Sequence, residues 1–105
     1  MTDPYQSCAD ICRALSDRTR LEILLVLRDG EKCACKILEH FHFSQPSLSY
    51  HMKILTGAGL VTSRKEGLWV HYSLCSDGME QVIGILSSLT EKRPSVECNV
   101  TEEKR

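Results

Sequence analysis

The chain has 105 residues, 42% of them hydrophobic and 26% charged, and a net charge of −1, which describes a single ordinary globular domain. It contains no uninterrupted apolar run of the ~20 residues that span a bilayer, and Met1–Pro4 lacks the basic patch and apolar stretch of a secretory signal, so a cytoplasmic protein with no membrane partner is expected. In a reducing compartment the six cysteines (Cys8, Cys12, Cys33, Cys35, Cys75 and Cys98) point to soft-metal binding or thiol chemistry rather than to a disulfide framework.

Tyr5, Cys8, Cys12 and Leu15 recur at spacings of three to four and predict a first helix, interrupted by Ser16-Asp17. Residues 18–28 carry the run Leu21-Glu22-Ile23-Leu24-Leu25-Val26-Leu27, apolar nearly all round, which predicts a buried central helix closed by Asp29-Gly30. A third helix is expected from about Cys33 to His40, with Ile37, Leu38 and Phe41 as its apolar face and a turn at Phe41-His42-Phe43. Ser44-Gln45-Pro46 is a strong helix start, since Ser caps well and Pro needs no N–H in the first turn. The helix that follows, Gln45 to Thr56, would bury Leu48, Met52 and Leu55 and leave Gln45, Ser47, Ser49, Tyr50, His51 and Lys53 outward, with Gly57-Ala58-Gly59 ending it.

Leu60 to Lys65, a turn at Glu66-Gly67, and Leu68 to Leu74 read as a hairpin, because Leu68, Val70, Tyr72 and Leu74 alternate with Trp69, His71 and Ser73. Ser76-Asp77 is expected to cap a last helix bearing Met79, Val82, Ile83, Leu86 and Leu89 on one stripe. The chain is polar from Arg93 onward, which predicts one domain over residues 1–92 and a flexible tail over 93–105. Two helices joined by a short turn and followed by a basic hairpin make a winged helix-turn-helix. The fold class is mainly α with a β-hairpin wing, about five helices and two strands.

The small net charge conceals an uneven distribution. Residues 44–75 hold three basic side chains against one acidic one, while the segments on either side are net acidic. The helix from Gln45 has the features of a recognition helix: an anchored N-terminus, small hydroxyls that permit close approach, and amide and imidazole groups able to reach bases or phosphates. A solvated polar face would account for that helix alone. Arg64 and Lys65 near the hairpin tip tip the balance toward DNA, since a wing meets the phosphate backbone there.

The segments Ala14-Leu15-Ser16-Asp17-Arg18-Thr19-Arg20-Leu21, Ser44-Gln45-Pro46-Ser47-Leu48-Ser49-Tyr50-His51-Met52-Lys53-Ile54-Leu55 and Arg64-Lys65-Glu66-Gly67-Leu68-Trp69-Val70-His71-Tyr72 resemble the ArsR/SmtB family of bacterial metal-responsive repressors. The resemblance covers about residues 10–75. It implies a homodimer held by its first and last helices, bound to a palindromic double-stranded operator and released by an inducer. The apolar stripe on the last helix agrees, because a chain of this size has little core left for it to face except a partner.

Glu31-Lys32-Cys33-Ala34-Cys35 resembles the cysteine metal box of the arsenic- and cadmium-responsive branches. Cys33 and Cys35 are therefore expected ligands, with pKa values lowered by a helix N-terminus and by Lys32 and Lys36. Paired thiolates select a thiophilic ion, and the resemblance implies As(III) or Sb(III) as inducer, with no organic cofactor. The position that supplies a third cysteine in the arsenic branch is Ile37 here. Cys12 is the expected third ligand, and Cys8, one turn away, is a fourth ligand or a small core residue. A Cd(II)/Pb(II) sensor using four sulfurs, and a thiol redox or persulfide sensor pairing Cys12 with Cys33 or Cys35, are the alternatives within the fold. Cys75 reads as structural, Cys98 stands alone in the tail, and His40 and His42 suit surface or turn roles. Residues 77–92 contain no His, so a zinc site built from Asp and His on the last helix is not expected. An enzyme is not expected either, for the chain has neither Cys-x-x-Cys beside a βαβ unit nor room for a catalytic pocket.

Overall fold

The computed structural model describes residues 3–91. Five α-helices, α1 (Pro4–Leu15), α2 (Arg18–Val26), α3 (Ala34–Leu38), α4 (Gln45–Gly57) and α5 (Ser76–Ser88), are joined by strands β1 (Lys32–Cys33), β2 (Val61–Glu66) and β3 (Trp69–Leu74). The helix-turn-helix pair is α3 and α4, and β2 with β3 forms the wing. Among the described residues no helix is long and apolar enough to cross a membrane.

Helices α1 to α4 begin where a side chain can satisfy their orphan amides. Asp3 caps α1, its Oδ1 accepting from the N–H of Tyr5 at 2.9 Å, and Asp17 caps α2 by accepting from Arg20 N–H at 3.1 Å. Ser44 caps α4, accepting from Ser47 N–H at 3.4 Å. The end of α4 is equally local. Gly59 takes a φ of +82°, and the N–H groups of Gly59 and Leu60 return to the carbonyls of Thr56 and Leu55 at 3.1 and 3.0 Å, a Schellman motif that only a residue tolerant of positive φ closes cheaply.

Five expectations need correction. The third helix begins at Ala34 and ends at Leu38, not from Cys33 to His40, because Lys32 and Cys33 pair antiparallel with Tyr72 and His71. An unpaired edge of β3 offers the backbone partners that an extended segment here can use. The sheet therefore has three strands in the order β1-β3-β2, where two were expected. The wing turn is Gly67-Leu68, one residue later than expected, since Glu66 still pairs with Trp69 and Gly67 supplies the positive φ of +64°. The residue preceding α5 is Cys75 rather than Ser76: its N–H donates to Leu60 O at 2.9 Å, so the strand connection runs one residue further and α5 starts without a side-chain cap.

Ile23, Leu27, Ile37, Leu48, Met52, Leu55 and Leu60 are fully buried and form the centre of the core. Burial of a side chain of this size is worth about 1.5–3 kcal/mol. The fifth correction concerns α2, which is not buried all round: Ile23 faces the core, but Leu21 and Leu25 are 46% and 59% exposed. A domain this small cannot surround a helix on every side. α1 and α5 pack together through Ile11 and Val82, with Gly78 permitting close approach, since a Cβ there would stand 3.0 Å from Ile11 Cδ1.

Candidate functional site

On α4 the side chains of Gln45, Ser49, Tyr50 and Lys53 are exposed, and Ser47 is half-buried beside its capping partner Ser44. His51 is placed differently from the outward position expected of it. Its ring is half-buried between Phe43 and Tyr50, with centroids 5.9 and 5.3 Å away. Its Nδ1 lies 3.3 Å from Arg20 Nη1, while Arg20 Nε donates to Ala14 O at 2.7 Å. Arg20 thus ties α4 to the α1–α2 junction, a role that spacing along the chain could not reveal.

In the wing, Lys65 is exposed and free of ion pairs among the described residues. Arg64 is engaged. Its Nε and Nη2 donate to the two carboxylate oxygens of Glu31 at 2.7 and 2.8 Å, and its Nη1 donates to Glu66 Oε1 at 3.2 Å. Ser73 Oγ lies 3.5 Å from Glu31 Oε2. The Arg64 guanidinium holds the Glu31 carboxyl below the usual carboxylate range, and the two carboxylates raise the Arg64 pKa in return. Glu31 was not a candidate from sequence. Only the pairing of β1 with β3 brings it level with Ser73, and no local pattern announces a strand of two residues.

The thiols fall into two pairs. Cys33 and Cys35 stand with their sulfurs 2.9 Å apart, Cys35 Sγ donating to Cys33 Sγ, and the N–H of Cys35 donates to the same sulfur at 3.4 Å. The hydrogen bond from the Cys35 thiol, then that from its backbone, lowers the Cys33 pKa, while Cys35 is raised because it is the donor. Lys36 contributes to the lowering at Cys33. A five-residue helix supplies little macrodipole, so hydrogen bonding replaces the expected helix-terminus effect. On α1, Cys12 is exposed and Cys8 is half-buried against the core. Burial, then the neighbouring Cys12, pushes the Cys8 thiol up. Among the described residues no three ligating side chains converge, so one chain does not bring Cys12 or Cys8 to the Cys33–Cys35 pair. Cys75 is half-buried at the start of α5. Cys98 and the tail 93–105 lie outside the described residues.

Cys35 also lines a cavity of about 140 Å³ whose other walls include Gln45 and Ser49 of α4 and Trp69 and Tyr72 of the wing. The thiol pair, α4 and the wing therefore share one small region.

Residues 17–63 match the family model described as bacterial regulatory protein, arsR family. The chain is 44% identical over 94 residues, 90% of each chain, to a Staphylococcus aureus protein named arsenical resistance operon repressor. The chain belongs to the ArsR family. A second protein of the same name, from Staphylococcus xylosus, is 49% identical over 78 residues, covering 74% of this chain and 75% of that one. A crystal structure described as a possible transcriptional regulator for arsenical resistance superposes with a TM-score of 0.69 at 31% identity, covering 76% of this chain and 83% of its own. As an ArsR-family member the chain is a DNA-binding transcriptional regulator and not an enzyme. Its winged helix-turn-helix is the fold of these neighbours.

Proposed function

We propose that this chain represses a metal(loid)-resistance operon in the cytoplasm, binding a palindromic operator as a homodimer and leaving it when As(III) or Sb(III) is captured by cysteine thiolates. The observation that carries the reading is the Cys33–Cys35 pair, two accessible sulfurs 2.9 Å apart on the strand that joins the wing and the helix that precedes the reading helix. The donor set suits a thiophilic ion, and the names of the staphylococcal relatives support a metalloid. Each As–S bond replaces an As–O bond, the thiol proton leaving with that oxygen as water, and no electrons are transferred.

The reading takes residues 1–92 as the DNA-binding and dimerisation domain. Gln45, Ser47, Ser49, Tyr50 and Lys53 face the major groove, Lys65 and Arg64 approach phosphates, and His51 holds the helix in place with an edge toward DNA. The third sulfur is Cys12 of a second copy. The apolar side chains that α1 and α5 leave uncovered, Tyr5 at 75%, Leu86 at 51% and Leu89 at 76% exposure, support the dimer that would bring it near. Cys8, raised by burial and packed on the core, suits a neutral neighbour of the site better than the fourth thiolate of a Cd(II) or Pb(II) centre.

The test is fluorescence anisotropy on a labelled duplex of the DNA immediately upstream of the coding sequence, titrated with arsenite and, in parallel, with cadmium. Arsenite should weaken binding by the parent at least tenfold and leave Cys33→Ser, Cys35→Ser and Cys12→Ser bound. By linkage, the DNA should weaken arsenite affinity by the same factor. Release by cadmium or an oxidant alone would refute the metalloid inducer, and a Cys12→Ser response equal to the parent's would remove the third ligand.

A further inference from the structure

Arg64 is one of two cations on the wing, yet it is not presented to solvent as a free charge. The Nε–Nη2 edge of its guanidinium is taken by Glu31, at 2.7 and 2.8 Å, and Nη1 by Glu66 at 3.2 Å. Two carboxylates against one guanidinium leave this cluster net negative, and such a cluster repels a phosphate. Glu66 Oε1 also lies 3.5 Å from His71 Nε2, so the groups around Arg64 are Glu31, Glu66, Ser73 and His71.

Glu31 comes from the cysteine segment. It stands two residues before Cys33, on the same face of the extended backbone, and the intervening strand β1 consists of Lys32 and Cys33 alone. Pairing of Cys33 with His71, and of His71 with Arg64, places the first thiol residue and the wing arginine in one row across the sheet. The backbone that positions the Cys33 sulfur therefore also positions the carboxylate that holds Arg64.

We propose that Glu31 is a positioning residue that competes with operator phosphate for Arg64, so that the cysteine segment controls whether the wing offers this cation to DNA. The inference rests on the thiol-gated repressor reading above and adds the route from thiols to wing. The Glu31–Arg64 pair is bidentate but half-exposed, and a phosphate accepts from a guanidinium in the same two-pronged geometry, so it can take the carboxylate's place. With free thiols, the short strand lets the carboxylate give way and Arg64 turns to a phosphate. When one ion joins both sulfurs, β1 and the first turn of α3 are cross-linked, Glu31 is fixed on Arg64, and the wing loses a contact.

The experiment measures affinity for the upstream duplex across a salt series for the parent, Glu31→Gln, Arg64→Gln and the double variant, first without inducer. Glu31→Gln should bind about three- to fivefold tighter per wing and steepen the slope of log affinity against log salt, by less than the change of about one per wing that a wholly new phosphate contact brings, because the parent's Arg64 exchanges one anion for the other. Arg64→Gln should weaken binding and flatten the slope, and in its background Glu31→Gln should change nothing. With saturating arsenite, Glu31→Gln should retain more of its affinity than the parent. Glu31→Asp, which keeps the charge but shortens its reach, should shift the slope in the same direction and covers a failure of Glu31→Gln to fold. An unchanged or flatter slope in Glu31→Gln, an effect that survives in the Arg64→Gln background, or a full arsenite response without Glu31 would each overturn the proposal. Failure of the repressor reading is separate: arsenite would then leave the parent's affinity unchanged.

Discussion

The sulfurs of Cys33 and Cys35 differ in chemistry although they share a motif. Cys33 Sγ receives hydrogen bonds from the thiol and the backbone of Cys35, which stabilise its thiolate, while Cys35 keeps its proton as the donor. A lowered pKa means that thiolate is present at lower pH, so the reactivity of Cys33 should rise with pH earlier than that of Cys35. Iodoacetamide labelling followed by peptide mass analysis should find Cys33 modified several-fold faster than Cys35 or Cys8 at neutral pH. Cys35→Ala, which removes the thiol donor, should slow Cys33 and move its rate profile to higher pH. The two cysteines and their likeness to a metal box were legible in sequence, as were the neighbouring lysines. The Glu31–Arg64 pair, spanning 33 positions, was not, because nothing local marks residues that meet only across a sheet.

At the scale of elements, sequence was most informative where the physics is local. Ser44 before Pro46 locates the start of α4, and the glycines after Thr56 locate its end. These two glycines should behave oppositely on substitution. Gly59→Ala places a side chain at φ +82° and should cost about 1–2 kcal/mol. Gly57→Ala meets nothing within 4 Å of the new Cβ and, in a helical turn, should stabilise by about 0.5–1 kcal/mol. Thermal unfolding followed by circular dichroism checks both, the expected change being about 4–8 °C per kcal/mol for a domain of this size. Strand β1 was missed for the opposite reason. A strand of two residues has no period to read, and its identity depends on a partner nearly forty positions away.

For the whole molecule, the winged helix-turn-helix was legible because its helix spacings, turn residues and alternating hairpin occur in an order that few folds share. What periodicity could not show was how much apolar surface the single chain leaves bare. On α5 only Val82 is buried, while Ile83, Leu86 and the capping Leu89 just past its end are more than half exposed. If that stripe is a subunit interface, Leu86→Glu should convert a dimer to a monomer in sedimentation experiments and weaken operator binding at least tenfold. Labelling of Cys33 should be unaltered, since the Cys33–Cys35 hydrogen bonds lie within one chain. A dimeric Leu86→Glu with parental affinity would assign the stripe no role in assembly.

The strand order β1-β3-β2 ties the segment that carries α4 to the sheet at both ends. Residues 34–60, which include both helices of the helix-turn-helix, leave the sheet from one outer strand and return to it at the other, with β3 clamped between. The unit is thus a closed loop on a common base, and the entropy of loop closure grows only slowly with its contents. Residues 44–56 could accordingly be exchanged for the reading helix of another winged protein without disturbing the base, provided that Leu48, Met52 and Leu55 keep their places in the core. Such an exchange would leave every cysteine in place, since none lies within residues 44–56.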